Sequence, residues 1–204
     1  MSVLIIDYGM SNLGSIKRAL EECGAVTEIS SDPEKLKSAS RIVLPGVGAF
    51  PDGMKNLRNM GLSSAIHKAV IEEKIPLLGI CLGMQLLADI GYEGGTSEGL
   101  RLIPGEIRRF VPDSPLTRIP HVGWNEVYKT VENSLFTGIP DGSDFYFVHS
   151  YHFVPREPAH IMATTPYCGG FASVIMMDNI AGVQFHPEKS GRPGFQLLKN
   201  FLEI

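Results

Sequence analysis

Leu77-Leu78-Gly79-Ile80-Cys81-Leu82-Gly83-Met84-Gln85-Leu86-Leu87 is the stretch that decides the fold. Pro76 to Ile80 is an apolar run that suits a strand buried on both faces, and Leu82 to Asp89 returns at once to a helical pattern. A buried strand feeding straight into a helix is the repeating unit of a parallel sheet covered by helices. The same alternation recurs upstream. Val3 to Asp7 is a continuous apolar strand. Asn12 is placed to cap a helix whose apolar residues Leu13, Ile16, Leu20 and Cys23 fall at helical spacing, with Gly24 ending it. Val26 to Ile29 and Arg41 to Leu44 read as short strands, and Leu62 to Ile71 carries a helical stripe.

Downstream the character changes. From Gly99 to Gln184, short β-like runs are separated by Gly and Pro: Ile107 to Val111, Asn125 to Lys129, Phe145 to His149, Phe171 to Met176 and Ile180 to Phe185. Gly194 to Leu202 closes the chain as a helix. The expected fold is α/β: a central, mostly parallel sheet with helices on both faces, and a mixed or antiparallel extension in the second half. With 204 residues and no repeat, low-complexity tract or linker, residues 1–204 are expected to form a single domain.

Composition narrows the function classes. The formal charge is −4 and no basic stripe appears, which argues against a nucleic-acid surface. The first residues, Met1 to Asp7, carry no positive n-region, and the longest apolar stretch, Pro76 to Ala88, is too short to span a bilayer. A soluble cytoplasmic chain is expected. Cys23, Cys81 and Cys168 are widely spaced and odd in number, so they suggest neither a zinc framework nor a disulfide set.

Cys81 stands apart from the other two. Glycines flank it two residues before and two after, at a strand-to-helix junction. Such a turn holds a nucleophile clear of the sheet, and the helix N-terminus favours thiolate over thiol. The N–H of Leu82 is placed to bind an oxyanion. Cys23 lies on the apolar stripe of a helix, and Cys168, before Gly169-Gly170, reads as a loop residue. Glycine-flanked strand ends are common in α/β folds, so this signal needs a partner.

The partner is Ala181-Gly182-Val183-Gln184-Phe185-His186-Pro187-Glu188. An apolar strand ends at a histidine, and a carboxylate follows two residues on. On extended backbone these two side chains share a side, so Glu188 can fix the tautomer of His186 and favour its imidazolium. The free ring nitrogen can take the thiol proton. A third strand end, Ile42-Val43-Leu44-Pro45-Gly46-Val47-Gly48-Ala49-Phe50, can lie beside Cys81 and present backbone N–H groups of Val47 and Gly48. Pro51 stands where a dinucleotide fingerprint needs its third glycine.

With these three segments the chain resembles the triad glutamine amidotransferases, through Gly79-x-Cys81-x-Gly83-Met84-Gln85, His186-Pro187-Glu188 and Pro45-Gly46-x-Gly48. Asp7-Tyr8-Gly9-Met10-Ser11-Asn12-Leu13, Pro120-His121-Val122-Gly123-Trp124-Asn125 and Phe145-Tyr146-Phe147-Val148-His149-Ser150-Tyr151 narrow the likeness to the glutaminase subunits of imidazole glycerol phosphate synthase. It covers essentially the whole chain, in order; Ser11 is a small departure where the family more often has glycine. The resemblance implies that Cys81 attacks the side-chain amide of L-glutamine and that His186 and Glu188 complete the triad. It implies that Gly48 and Gln85 contact the substrate, and that the Ser150-Tyr151 backbone holds its amino-acid end. It further implies a (β/α)8-barrel cyclase as partner in a 1:1 heterodimer, with no metal or organic cofactor. Pro120, Trp124, Asn125 and Lys189 flank the site and are nominated for the docking face.

Three other readings stand beside this one. A glutaminase feeding another synthase, such as the one that makes pyridoxal phosphate, is disfavoured by the Pro120–Asn125 segment. Peptidase and chaperone relatives sharing a strand-to-helix cysteine need no His-Pro-Glu. A metal module using His149-x-x-His152 with His121 or His160 is disfavoured because residues three apart on a β-like run do not share a face.

Overall fold

The computed structural model describes residues 2–204. Strands β1 (Ser2–Ile6), β2 (Val26–Ser30), β3 (Arg41–Gly46) and β4 (Leu77–Cys81) alternate with helices α1 (Leu13–Glu22), α2 (Phe50–Asn59), α3 (Leu62–His67) and α4 (Leu82–Leu86). The second half contributes β5 (Ile90–Gly91), β6 (Ser97–Glu98), β7 (Gly105–Arg109), β8 (His121–Lys129), β9 (Ser143–His149), β10 (Tyr151–Pro155), β11 (Ile161–Thr165), β12 (Phe171–Met177) and β13 (Ile180–Val183). Helix α5 (Gly191–Glu203) closes the chain.

Nine strands form one sheet in the order β2-β1-β3-β4-β13-β12-β11-β8-β9. From β2 to β13 neighbours run parallel, and from β13 to β9 they run antiparallel. Every residue of β4 and β13 is buried, as a strand covered on both faces requires. The period-2 alternation of β1 divides its side chains between two cores. Val3 and Ile5 pack with Ile16 and Leu20 of α1 and Leu197, Leu198 and Phe201 of α5. Leu4 and Ile6 pack with Met54 and Leu57 of α2 and Leu62 and Ile66 of α3. In β8 and β9 one side faces the core and the other is open, so buried and exposed residues alternate.

Several elements differ from expectation. Ile107 lies in β7, which belongs to a separate four-stranded sheet, β10-β7-β5-β6, and not to the main one. Helix α2 was not expected: Pro51 sits in its first turn, and Phe50, Gly53, Met54 and Leu57 are its buried residues, at helical spacing. Helix α4 ends at Leu86, short of Asp89. Helix α3 is α-helical only to His67 and continues as a π-turn over Lys68–Glu72. Asn12 precedes α1, but its side chain makes no capping hydrogen bond.

Adjacent strand ends place the site. β3, β4 and β13 are neighbours, with Gly46 opposite Cys81 and Val183 opposite Ile80. The three sequence segments singled out above therefore meet at the carboxyl edge of the parallel half, where open α/β sheets bind ligands.

Candidate active site

Cys81 stands at the β4–α4 junction with φ +53° and ψ −110°, a backbone conformation that L-residues rarely adopt. The flanking glycines make this turn possible. A Cβ on Gly83 would sit 1.7 Å from the Leu44 carbonyl oxygen, and one on Gly79 would sit 2.7 Å from the Gly83 carbonyl oxygen. The thiol is buried, with Sγ 3.9 Å from the Val148 carbonyl oxygen and 3.8 Å from Gln184 Nε2.

His186 follows β13, and its N–H donates to the Tyr146 carbonyl at 2.9 Å. Its Nδ1 lies 2.9 Å from Glu188 Oε1, with both side chains buried. The expected reach along extended backbone is not how they meet. Pro187 opens a short 3-10 turn over Pro187–Lys189, and this turn folds Glu188 back onto the ring. Ser190 locks the turn: its hydroxyl donates to the His186 carbonyl at 2.6 Å and accepts from Tyr146 N–H at 3.0 Å. The other ring nitrogen, Nε2, is buried and has no hydrogen-bond partner. Burial alone disfavours the imidazolium. The neighbouring Cys81 and Glu188 outweigh it and raise the His186 pKa to about 9. A histidine so placed can hold a proton against a thiolate and return it to a leaving group.

A cavity of about 290 Å³ opens beside the thiol, lined by Val47, Gly48, Leu82, Gln85, Glu93 and Tyr151 among others. Val47 corrects an expectation: its N–H is not free, because it donates to the Met10 carbonyl at 2.8 Å. Gln85 is buried, and its Nε2 donates to the Tyr151 carbonyl at 2.9 Å and to Gln184 Oε1 at 3.1 Å. The carbonyl of Ser150 is also engaged, by Phe110 N–H at 3.0 Å. Residues 4–204 match the family model described as glutamine amidotransferase class-I.

The chain belongs to that family. It is 50% identical over 202 residues to "Imidazole glycerol phosphate synthase subunit HisH" of Moorella thermoacetica, covering 99% of this chain and 94% of that one. It is 44% identical over 201 residues to "Imidazole glycerol phosphate synthase subunit HisH 2" of Methanococcus maripaludis, covering 98% of each. The solved structure of PurLQS from Thermotoga maritima superposes with a TM-score of 0.77, covering 99% of this chain and 97% of that one. At 19% identity this last likeness concerns the fold alone.

Two residues of this amidotransferase's site were missed from the sequence. Glu93 places its carboxylate on the cavity wall, where Oε2 accepts from Phe50 N–H at 2.8 Å. Gln184 is fully buried between Gln85 and Cys81. An amide in an otherwise apolar strand was the available signal, since a buried amide must find partners.

The nominated docking residues separate. Trp124 is 57% exposed and edge-on to Tyr146, whose ring lies 5.8 Å from Lys189 Nζ. Pro120 and Lys189 are also exposed. Asn125 departs from the expectation: its amide nitrogen is 3.1 Å from the buried His121 Nε2, so the side chain turns inward. Cys23 is half-buried against the core and Cys168 is half-buried in a turn. Among the described residues no group of three or more His, Cys, Asp or Glu is arranged to hold a metal, and no helix is long and apolar enough to cross a membrane.

Proposed function

We propose that residues 1–204 act as one glutaminase domain, the ammonia-producing subunit of an imidazole glycerol phosphate synthase in histidine biosynthesis. The observation that carries the proposal is the meeting of a strained strand-end cysteine with a buried His186–Glu188 pair beside a cavity about 290 Å³ in volume. That size is near the lower end of small-molecule sites and suits an amino acid.

Cys81 thiolate attacks the side-chain amide carbon of L-glutamine. The carbonyl electrons move to oxygen, where the N–H groups of Leu82 and Gly48 are the candidate donors. Val47 is left out of that pair in the present arrangement, because its N–H is taken by Met10. His186 gives its proton to the departing nitrogen, releasing ammonia and leaving a thioester on Cys81. The same imidazole then accepts a proton from water as the water attacks the thioester, and glutamate leaves. Glu188 orients the ring. Glu93, the carboxylate of the cavity wall, is the natural partner for the substrate ammonium, and Ser150-Tyr151 borders the same space. Gln85 acts as a positioning residue through Tyr151 and Gln184.

Ammonia released into neutral water is protonated and loses its nucleophilicity, so the proposal includes docking to a (β/α)8-barrel cyclase as a 1:1 heterodimer. That cyclase makes imidazole glycerol phosphate and aminoimidazole carboxamide ribotide. The docking face assigned is the open side of β8–β9, where Val122 pairs with Val148 and Trp124 with Tyr146. Val122, Trp124 and Val148 are all exposed, and Val148 also borders the Cys81 cavity. Three free cysteines suit a reducing cytoplasm.

The test is Cys81→Ala in the assembled synthase. Glutamine-dependent synthesis is expected to vanish while ammonia-dependent synthesis survives. Substantial glutamine hydrolysis by the folded variant would sink the triad assignment. Failure of any barrel cyclase to bind would sink the choice of subunit and leave the triad standing.

A further inference from the structure

A buried pair of histidines outside the triad sits behind the cavity. His121 Nδ1 lies 3.1 Å from His149 Nε2, and His149 Nδ1 lies 2.8 Å from the Tyr151 carbonyl oxygen. Asn125 Nδ2 lies 3.1 Å from His121 Nε2, and Asn125 Oδ1 accepts from Glu126 N–H at 2.9 Å. Chemistry fixes every proton in this row. A carbonyl only accepts, so His149 carries its proton on Nδ1. Burial pushes the His149 pKa down to about 3, with the Tyr151 carbonyl opposing and the charges of His121, His152 and His186 adding to the fall. Burial likewise lowers His121 to about 4. Both rings are neutral at neutral pH, so His149 Nε2 must accept and His121 Nδ1 must donate. His121 Nε2 then accepts from the Asn125 amide, whose oxygen is already committed to Glu126.

The row is therefore directional, running from Asn125 through His121 and His149 to the Tyr151 carbonyl. Aromatic rings enclose it: Tyr167 stacks on His121 at 3.9 Å, and Phe110, Phe147 and Phe171 surround His149. The Tyr151 carbonyl also receives the Gln85 amide, and Gln85 touches Gln184, which reaches Cys81. His149, Ser150 and Tyr151 all line the cavity.

We propose that His121 and His149 are positioning residues for glutamine: their one-way hydrogen-bond row fixes the Ser150–Tyr151 peptide against the wall of the Cys81 cavity. This rests on the reading of that cavity as the glutamine site. On that reading the peptide holds the substrate's amino-acid end and not its reacting carbon. Loss of the row is felt in substrate binding, hence in KM more than in kcat.

Glutaminase kinetics of the assembled synthase test this with three variants beside wild type. His149→Phe keeps an aromatic ring and deletes both nitrogens. His149→Asn keeps a donor where Nδ1 stood. His121→Phe cuts the row one link further back. His149→Phe is expected to raise KM for glutamine about tenfold, the worth of one hydrogen bond, with kcat nearly unchanged. His149→Asn recovers most of that loss, and His121→Phe shows a smaller rise than His149→Phe. An unchanged KM in folded His149→Phe, or a His149→Asn variant as impaired as His149→Phe, overturns the proposal. Nitrogen NMR of the wild-type histidines provides a measurement that needs no variant: a proton on His149 Nε2 in place of Nδ1 overturns it too. Cys81→Ala run alongside separates the levels. If it still hydrolyses glutamine, the site reading fails; if it is dead while His149→Phe behaves as wild type, only the positioning role fails.

Discussion

Gly83→Ala puts the nucleophile turn under a calculable load. The added Cβ would lie 1.7 Å from the Leu44 carbonyl oxygen and 2.8 Å from its carbonyl carbon, both backbone atoms of β3. Non-bonded heavy atoms sit about 3.5 Å apart, so α4 and β3 must separate by roughly 1.8 Å. No side-chain rotation relieves this. Overpacking of that kind costs about 3 kcal/mol or more, which in a chain of this size lowers Tm by roughly 6–12 °C. The same shift moves Cys81, two residues away, and a displacement of about 1 Å costs on the order of a hundredfold in rate. Gly14→Ala is the control. It lies in α1 with nothing within 4 Å of its Cβ and no positive φ, so alanine is expected to leave stability unchanged or raise it by about 0.5–1 kcal/mol. Thermal melting followed by circular dichroism reads both variants, and glutamine turnover in the complex reads the first. A Gly83→Ala protein that melts within about 2 °C of wild type, where even 1 kcal/mol shifts Tm by about that much, refutes the close approach of α4 to β3.

Other substitutions probe the chemistry. His186→Ala removes the proton carrier and is expected to lower kcat/KM by about 10²–10⁴. Glu188→Gln costs less, because the amide oxygen still accepts from Nδ1; a loss as severe as that of His186→Ala removes Glu188 from the orienting role. Glu93→Gln is expected to raise KM for glutamine about ten- to hundredfold through loss of a charged hydrogen bond, with little change in kcat. Wild-type KM in that variant places the substrate ammonium elsewhere. Trp124→Ala and Lys189→Ala are expected to weaken cyclase binding, Trp124 by about tenfold or more. Normal assembly in both, with glutamine nitrogen still reaching product in the wild-type ratio to glutamate, excludes this face.

The parallel half of the fold was legible because its signals are local. A continuous apolar strand, a glycine-flanked cysteine and an immediate helical pattern leave few arrangements open for β3 and β4, whereas β13, expected in the mixed or antiparallel extension, pairs parallel with β4 and brings His186 to the same edge. Helix α2 carried a readable signal in Phe50, Met54 and Leu57, but Gly53 weakened it. That glycine has a packing reason: a Cβ there would approach Leu86 to 3.2 Å. Glu93 had no such signal. It reaches the site because its carboxylate accepts from Phe50 N–H, 43 residues earlier in the chain, and no periodicity records a contact of that kind. The engagement of Val47 by Met10 is equally silent, since the direction of a backbone N–H in a glycine turn depends on what lies across from it. Asn125 combines a local cause with a long-range one. Its neighbour Trp124 points outward and its own amide points inward, as the alternation of a strand with one covered face demands. The sequence showed Pro120 to Asn125 as one motif. Only the register of β8 against β9, with His121 opposite His149, separates its outward-facing residues from those that support the cavity.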